Sequence, residues 1–441
     1  MIIKGAKVYT QNHIFEDGII ITDGMVIKDL CVRGQGEGKS GSYAADVDKE
    51  ANADSLGKDA DLDVETTDVL DASGLYAIPG LVDIHFHGAY GHDFCEADQN
   101  GLKEIAKYEA ENGILAICPA TMTYNEEILG GIMDVARDFV ALQGGSCIDG
   151  KIDNLQGGNC TDGKISSLQG GNSKGEENSG LAALVGINME GPFISPKRVG
   201  AQNPEYLMLP DVGMFKRLQE RSGGLIKLVD IAPELDGSME FIDELAKEVN
   251  ISIAHTVCDY DTAVTAFDKG ARHVTHLYNA MPGLTHREPG PIRAAMEKDA
   301  EVEMIADGVH IHPAMIRMAF ESFSDDKTIL ISDSMEATGL PDGEYQLGGQ
   351  KVTVEGNRAV LSGNRDTIAG SVTNLFKCMK TAIGMGVSKE LAIRAATENP
   401  ARSIGIGDRY GAIGKGYFAN IVLVDENFEI RHIVNRGKLV K

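Results

Sequence analysis

Residues 76–93 read YAIPGLVDIHFHGAYGHD, a Pro-Gly turn followed by a short apolar run and two histidines, His85 and His87. The apolar run is typical of a buried strand. Because residues i and i+2 of a strand share a face, both imidazoles can point to the same side. Two imidazoles at that spacing can hold one divalent metal ion. The stretch therefore predicts a buried strand that ends at a metal site.

Seven similar apolar runs follow along the chain, and amphipathic helical patterns such as GLKEIAKYEAEN and PAMIRMAFESF separate many of them. The eight runs in chain order are GLVDIHFHG, GILAICPAT, AALVGINMEG, IKLVDIAPE, ISIAHT, RHVTHLYNA, VEMIADGVH and TILISDS. Eight strands that alternate with helices match a (β/α)8 barrel, in which chemistry takes place at the carboxyl ends of the strands. We therefore predict an α/β fold with a (β/α)8 TIM barrel over residues 76–410.

Both ends of the chain read as short strands with turns, in MIIKGAKVYT and HIFEDGIIIT at the start and ANIVLVDENFEIRHIVNRGKLVK at the end. We predict that residues 1–75 and 411–441 form one small β-sandwich domain. Residues 33–66 are rich in Gly, Ser, Ala and Asp, and residues 144–180 contain the tandem repeat CIDGKIDNLQGGN and CTDGKISSLQGGN. Neither segment has the apolar residues of a core, so we predict that both are surface insertions.

The composition argues against several classes of protein. The net charge of −25 over 441 residues disfavours nucleic acid or an anionic membrane as partner. No apolar run reaches the roughly 18 residues of a membrane span, and the N-terminus lacks a signal-peptide pattern. The seven cysteines are scattered and odd in number, which is typical of a reducing compartment. We expect a cytoplasmic protein that holds any anionic substrate with a local positive site.

Side chains that bind metals or move protons recur at the ends of six predicted strands. They are His85 and His87 on the first strand, Glu190 on the third, His255 on the fifth, His276 on the sixth, His310 on the seventh and Asp333 on the eighth. Each alone has an ordinary explanation, since a lone histidine is more often a satisfied polar residue, Glu190 can form an ion pair and Asp333 can cap a helix. Their recurrence at one end of successive strands favours a metal centre in which Asp333 exchanges a proton with water. The remaining histidines are assigned structural or surface roles: His13, His92, His273, His286, His312 and His432.

The motifs PGLVDIHFHG, EGPF, AHT, THLYNAMP, HREPG, IADGVH, SDSMEATG, IAGS and NPAR resemble the N-acetylglucosamine-6-phosphate deacetylase family of the amidohydrolase superfamily. The resemblance covers residues 76 to 425 apart from the second insertion. EGPF, THLYNAMP and IADGVHIHP are specific to the family, whereas the HxH pair and the last aspartate occur across the superfamily. The resemblance implies metal-dependent hydrolysis of N-acetyl-D-glucosamine 6-phosphate to D-glucosamine 6-phosphate and acetate in amino-sugar catabolism, by a homodimeric enzyme.

The resemblance also implies a role for each matching residue. Glu190, His255 and His276 match the ligands of the metal that every member binds. His85 and His87 match the pair of those members that hold a second metal, so one or two Zn, Fe, Co or Mn ions per subunit are expected. Asp333 matches the catalytic acid and base. The residues that match substrate contacts are Ala201, Gln202, Asn279, Ala280, Arg287, His310, Ile368, Ala369 and Gly370.

Among these, Asn279 and Ala280 match contacts to the sugar phosphate, and Arg287 matches a phosphate-binding arginine that acts across a dimer interface. Residues 368–370 match a backbone stretch that closes over the sugar. The sequence departs from the family at Gln202, where the family often has a histidine. Gln202 can form a hydrogen bond with a substrate oxygen but cannot become cationic.

Several functions remain open at this level. The substrate could be the galactosamine epimer, and the chain could be another amidohydrolase, such as a cyclic amidase or an acyl-amino-acid hydrolase. Cyclic amidases usually carry a carbamylated lysine at the position of Glu190, which counts against them. A metal-dependent binding or scaffold protein has no need of a proton shuttle, so Asp333 counts against that class.

Overall fold

The computed structural model describes residues 1–32, 68–144, 146–148, 151–153 and 180–441, and the two shortest of these ranges by their backbone alone. The predicted insertion 33–66 and most of 144–180 lie outside the described residues. The chain divides into two compact units. One unit combines Met1–Pro79 with Ala412–Lys441, and the other is Gly80–Gly411.

The described strands of the first unit belong to one eight-stranded sheet. They are β1 (Ile2–Tyr9), β2 (Phe15–Asp23), β3 (Val26–Val32), β4 (Val69–Asp71), β5 (Tyr76–Pro79) and the C-terminal strands Ile421–Val424, Ile430–Asn435 and Lys438–Leu439. β5 pairs parallel with β1 and antiparallel with Ile421–Val424. The two ends of the chain are therefore joined by hydrogen bonds within one sheet, where the sequence predicted two sheets packed face to face. Ile3, Val8, Ile20 and Leu423 belong to its core.

The second unit contains a curled parallel sheet in two stretches, of orders β12-β9-β6 and β13-β14-β15-β16-β17-β18. The strands of the parallel sheet are β6 (Leu81–Asp83), β9 (Ile114–Ile117), β12 (Ala183–Leu184), β13 (Ile187–Met189), β14 (Ile226–Ile231), β15 (Asn250–Ile253), β16 (His273–Val274), β17 (Glu301–Ile305) and β18 (Thr328–Ile331). Two separate antiparallel pairs are β7 (Gly88–Ala89) with β8 (His92–Asp93) and β10 (Ser146–Ile148) with β11 (Lys151–Asp153). The third predicted strand is thus divided into β12 and β13. Gly186 lies at the break, where a Cβ would come within 2.5 Å of the Lys227 side chain.

Backbone hydrogen bonds continue beyond the strand ends on both sides of the break between the two stretches. Thr121 N donates to Asn188 O over 2.9 Å, which links the segment after β9 to β13. His87 N donates to Ser334 O over 2.7 Å, and Asp333 N donates to His85 O over 2.9 Å. The segments that follow β6 and β18 are therefore held side by side, and they carry predicted site residues.

Helices separate many of the strands, and several of them begin at residues whose side chains cap them. The helices are α1 (Gln99–Glu111), α2 (Glu126–Leu142), α3 (Val212–Arg221), α4 (Ser238–Leu245), α5 (Tyr260–Lys269), α6 (Gly290–Glu297), α7 (Pro313–Ser322), α8 (Leu375–Gly384), α9 (Lys389–Ala396) and α10 (Glu398–Ser403). The side chains of Asp98, Asn125 and Asp211 accept hydrogen bonds from first-turn N–H groups of α1, α2 and α3, which satisfies donors that the helix itself leaves free. In the described parts of the chain, no helix combines the length and the apolar character needed to cross a membrane.

A small antiparallel sheet is inserted between β18 and α8. Its strands are β19 (Gly343–Leu347), β20 (Gln350–Glu355), β21 (Arg358–Leu361) and β22 (Asn364–Ile368), paired in chain order. Leu347, Val352 and Val354 are buried in a core shared with Met122 and Met335. The pattern of eight apolar runs does not predict this small sheet. The sheet contributes residues to the pocket described below.

Candidate metal centre and substrate pocket

The predicted metal ligands lie directly after the parallel strands. Glu190 follows β13, while His255, His276 and Asp333 lie two residues beyond the ends of β15, β16 and β18. His85 and His87 lie in the segment after β6, which ends at Asp83, and backbone hydrogen bonds hold that segment beside the segment after β18. All six side chains are buried. The carboxyl edge of the parallel sheet thus brings the six together.

Three of these residues have a left-handed backbone, with φ of 41° at His255, 30° at His276 and 49° at Asp333. Such values are uncommon for residues other than glycine and are maintained only by surrounding contacts. His255 O accepts a hydrogen bond from Ser195 N over 2.9 Å, and Asp333 O accepts one from Ser371 N over 2.6 Å. The fold therefore fixes the direction of these side chains against local preference.

Glu190 lies between two groups of ligand atoms. Its Oε1 is 3.0 Å from His255 Nε2 and 3.1 Å from His276 Nε2, and the two nitrogens are 3.1 Å apart. Its Oε2 is 3.3 Å from His87 Nε2 and 3.7 Å from His85 Nε2. One carboxylate thus contacts four imidazoles, one oxygen toward each pair.

Asp333 completes the second group. Its Oδ1 is 3.3 Å from His87 Nε2 and 3.8 Å from His85 Nε2. Among the described residues, two clusters have the composition and spacing to hold a metal ion: His85 with His87 and Asp333, and Glu190 with His255 and His276.

The donor atoms fit one or two divalent cations. Each cluster offers two imidazole nitrogens and a carboxylate, a set that suits Zn, Fe, Co or Mn. His85 Nε2 is buried without a hydrogen-bond partner, although it faces two carboxylates. A buried polar atom normally has a partner, and a cation held by these carboxylates and imidazoles would supply one.

The close approach of carboxylates and imidazoles shifts their pKa values. Burial raises the pKa of the Glu190 carboxyl, but the charge of His85 and hydrogen bonds from His255 and His276 outweigh it and hold that pKa well below its usual value. Burial lowers the pKa of His87, but its contacts with Asp333 and Glu190 outweigh burial and raise it to about 10. For Asp333, burial raises the pKa, and the contacts with His87 and the charge of His85 outweigh it and lower it.

Two neighbouring side chains, Gln202 and Glu303, contact residues of this centre. Gln202 donates from Nε2 to Glu190 Oε2 over 2.7 Å and accepts at Oε1 from Thr123 N over 2.6 Å. Both ends of the Gln202 amide are therefore engaged within the protein, and Gln202 also lines the pocket described below. His85 Nδ1 is 2.8 Å from Glu303 Oε2.

His310 Nδ1 is 2.7 Å from Asp307 Oδ2. Burial lowers the pKa of His310, but the hydrogen bond and charge of Asp307 outweigh burial and raise it. The sequence analysis missed Asp307 and Glu303. The available signal was that each is an acidic residue in the otherwise apolar run VEMIADGVH, which is unusual for a buried strand unless the carboxylate has a partner.

A pocket of about 430 Å³ opens over the metal ligands. Of the residues predicted to contact substrate, the lining includes Ala201, Gln202, Asn279, Ala280, His310, Ile368 and Gly370. Ala369 is buried and does not line the pocket, and Arg287 is exposed and lies outside the lining. Two cations that the sequence analysis did not single out, Lys197 and Arg198, do line it.

Comparisons with known proteins identify the family of this chain. The model of the amidohydrolase family matches residues 177–440, and the chain belongs to that family. Within it, the chain is 35% identical to the N-acetylglucosamine-6-phosphate deacetylase of Bacillus subtilis over 97% of each chain. It is 28% identical to the N-acetylgalactosamine-6-phosphate deacetylase of Escherichia coli, over 82% of this chain and 86% of the relative.

A solved structure extends the comparison to the fold. The N-acetyl-D-glucosamine-6-phosphate deacetylase of Mycobacterium smegmatis, a mutant in complex with N-acetyl-D-glucosamine-6-phosphate, is similar with a TM-score of 0.79 at 26% identity. The match covers 100% of this chain and 99% of that one. The chain thus groups with the N-acetylglucosamine-6-phosphate deacetylases of the amidohydrolase family.

Proposed function

We propose that this protein hydrolyses the acetamide of N-acetyl-D-glucosamine 6-phosphate to D-glucosamine 6-phosphate and acetate. The observation that carries the proposal is the position of Glu190 between two pairs of histidines, with Asp333 against one pair, at the base of the pocket. An amidase of this kind needs a polarised carbonyl, a nucleophilic water and a proton donor for the leaving amine. The relatives named above act on sugars of this class.

The residues present can hold one or two divalent ions. Glu190, His255 and His276 form the set proposed for the essential ion, and His85 and His87 with Asp333 form the set for a second. A bound cation supplies positive charge that polarises the acetyl carbonyl and makes water more acidic. Zn, Fe, Co and Mn all suit these ligands, and cellular supply decides among them.

Asp333 is the proposed acid and base. Its lowered pKa keeps the carboxylate ionised at neutral pH and ready to accept a proton from the attacking water. Returning that proton to the amine nitrogen makes the amine a good leaving group. Among the described pocket-lining residues, Glu190 is the one further carboxylate that contacts the His85 and His87 pair. Both of its oxygens already face histidines.

The remaining pocket residues bind and orient the sugar phosphate. Asn279 and Ala280 on one side, and the stretch from Ile368 to Gly370 on the other, are proposed to bracket the sugar. His310, with its raised pKa, is proposed to donate a hydrogen bond to a sugar hydroxyl. The phosphate is proposed to be bound by cationic side chains.

Arg287 is proposed to bind the phosphate from the second subunit of a homodimer. Its exposed position outside the lining of its own pocket is compatible with a role in trans. Lys197 and Arg198 of the same subunit add positive charge at the pocket of a protein whose net charge is −25. Charge-assisted hydrogen bonds from such groups contribute about 1.5–3 kcal/mol each.

The finer architecture is part of the same proposal. We infer that the two parallel stretches form one closed (β/α)8 barrel, supported by the backbone hydrogen bonds between the segments after β6 and β18. The sheet of the first unit is proposed to fold onto itself as a β-sandwich. A cytoplasmic location suits the seven cysteines and the phosphorylated substrate.

The test is release of acetate and of a free amine from the 6-phosphate of N-acetylglucosamine by the purified, metal-loaded protein. Parallel reactions use the galactosamine epimer, an N-acyl amino acid and a cyclic amide, which separates the alternatives left open by the sequence. Removal of the metal with a chelator should abolish turnover, and adding back one divalent metal should restore it. A metal-loaded protein that releases acetate from neither amino sugar phosphate contradicts the proposal.

A further inference from the structure

Glu303 on β17 contacts a residue of each of the two candidate metal clusters. Glu303 is fully buried, and its Oε2 is 2.8 Å from His85 Nδ1. The same oxygen accepts a hydrogen bond from the backbone N–H of His276 over 3.3 Å. A single carboxylate oxygen therefore contacts one residue of each cluster, and Glu303 is not among the residues that line the pocket.

We propose that Glu303 is a positioning residue that builds the metal site of His85 and His87. Glu303 Oε2 already acts as an acceptor toward the His276 N–H, so we infer that His85 Nδ1 carries the hydrogen and donates it to the same oxygen. The nitrogen left to bind a cation is then Nε2. This atom lies 3.7 Å from Glu190 Oε2 and 3.8 Å from Asp333 Oδ1, and it is buried without a hydrogen-bond partner. Glu303 thus sets both the rotation of the ring and the nitrogen it presents.

The other metal-ligating histidines do not depend on a carboxylate in this way. His255 Nδ1 is 2.7 Å from the backbone oxygen of Arg198, which no side-chain substitution removes. His276 Nδ1 and His87 Nδ1 have no hydrogen-bond partner among the described residues. Loss of the Glu303 carboxylate should therefore weaken the His85 and His87 site much more than the site of Glu190, His255 and His276.

A metal titration of the metal-free protein tests this inference without using the reaction. Co²⁺ alone is added to wild type, Glu303→Met and Glu303→Gln, and calorimetry and elemental analysis after dialysis give the affinity of each equivalent. Removal of a side chain that orients a metal ligand typically weakens metal binding about 10–100-fold. We expect two equivalents in wild type, a second equivalent weakened by that factor in Glu303→Met, and a first equivalent within about threefold of wild type.

Glu301→Met is the matched control, since Glu301 lies on the same strand, is buried, and accepts a hydrogen bond from Ser403 Oγ over 2.7 Å without contacting a metal ligand. It should bind both equivalents like wild type, whereas His85→Ala should lose the second. Glu303→Gln keeps an oxygen that can accept from His85 Nδ1, so its second equivalent should weaken by only about three- to tenfold. This partial rescue is not expected if Glu303 serves only to fill the core.

Three results overturn the proposal: one equivalent in wild type, an unchanged second equivalent in Glu303→Met, or equal weakening of both equivalents. If Glu303→Met does not fold, as judged by circular dichroism, Glu303→Gln decides alone. Its second equivalent must then weaken by more than about threefold while its first equivalent does not, and unchanged binding overturns the proposal. Because no sugar is used, the outcome is independent of whether the proposed substrate is correct.

Discussion

Replacing Asp333 with asparagine tests the proposed chemistry most directly. Asp333 has a left-handed backbone with φ of 49°, a conformation that asparagine tolerates nearly as well as aspartate. The substituted amide has the same shape as the carboxyl, so the backbone hydrogen bonds to His85 and Ser371 should persist. What Asp333→Asn removes is the ability to take up a proton and the negative charge 3.3 Å from His87 Nε2.

The expected loss follows from the two roles of the carboxylate. General acid–base catalysis contributes about 10²–10⁴-fold, which corresponds to about 2.7–5.4 kcal/mol of activation free energy. Asp333 is proposed to act both as base and as acid, so we expect a fall in kcat near the upper end of that range. The loss of charge should also weaken metal binding beside His85 and His87, and kcat must therefore be compared at saturating metal.

The assay is the initial rate of amine release from N-acetylglucosamine 6-phosphate, normalised to the metal content of each preparation. Asp230→Asn is the matched control, since Asp230 is buried, accepts a hydrogen bond from Thr275 Oγ1 over 2.8 Å and does not line the pocket. This control should stay within tenfold of wild type. An Asp333→Asn protein that has full metal content and retains more than a tenth of the wild-type kcat refutes the proposed role.

Three further substitutions test the pocket. The pKa of His310 is raised in the folded protein, so the stability from its pair with Asp307 is fully present below its ordinary pKa of 6.5 and is lost as pH rises through the folded value. We expect Asp307→Asn to remove this support, so that KM rises between about pH 6 and 8 while wild-type KM stays level to higher pH; superimposable KM profiles would contradict this. Arg287→Met should lower kcat/KM for the phosphorylated sugar by about ten- to a thousand-fold at about 1.4 kcal/mol per decade, and equal losses on unphosphorylated N-acetylglucosamine would mean that it does not bind the phosphate. Gln202→Ala leaves the buried Thr123 N–H without its acceptor, at about 1–3 kcal/mol, so thermal unfolding should occur at lower temperature; a variant as stable as wild type would argue that a water replaces the amide.

The parallel strands and the ligand positions could be predicted because both depend on local sequence. A strand buried on both faces reads as a continuous apolar run, and the residue that follows it lies at the carboxyl edge of the sheet wherever the helices pack. Glu190, His255, His276 and Asp333 could thus be named before their distances were known. The break at Gly186 could not, since it depends on the approach of Lys227 from the neighbouring strand.

Other features arise only from tertiary contacts. The strands of the small antiparallel sheet, such as GEYQL and QKVTVE, are polar on one face and short, so their sequence is hard to distinguish from a loop. Glu303 is one acidic residue in an apolar run, and its partner His85 is 218 positions away in the chain. The hydrogen bonds of Gln202 to Glu190 and to the Thr123 N–H could not be predicted either, since a family motif assigns a position and not hydrogen-bond partners.

The left-handed backbone at His255, His276 and Asp333 has a consequence for inactivation by heat. Each such conformation costs about 1–2 kcal/mol, which the surrounding contacts must offset. When warming loosens those contacts, relaxation to ordinary backbone angles lowers the free energy of these three residues. The rest of the sheet has no such strain to release. Catalytic competence should therefore disappear several degrees below the temperature at which the helices and strands melt, and a protein cooled from that interval should recover its turnover without having unfolded.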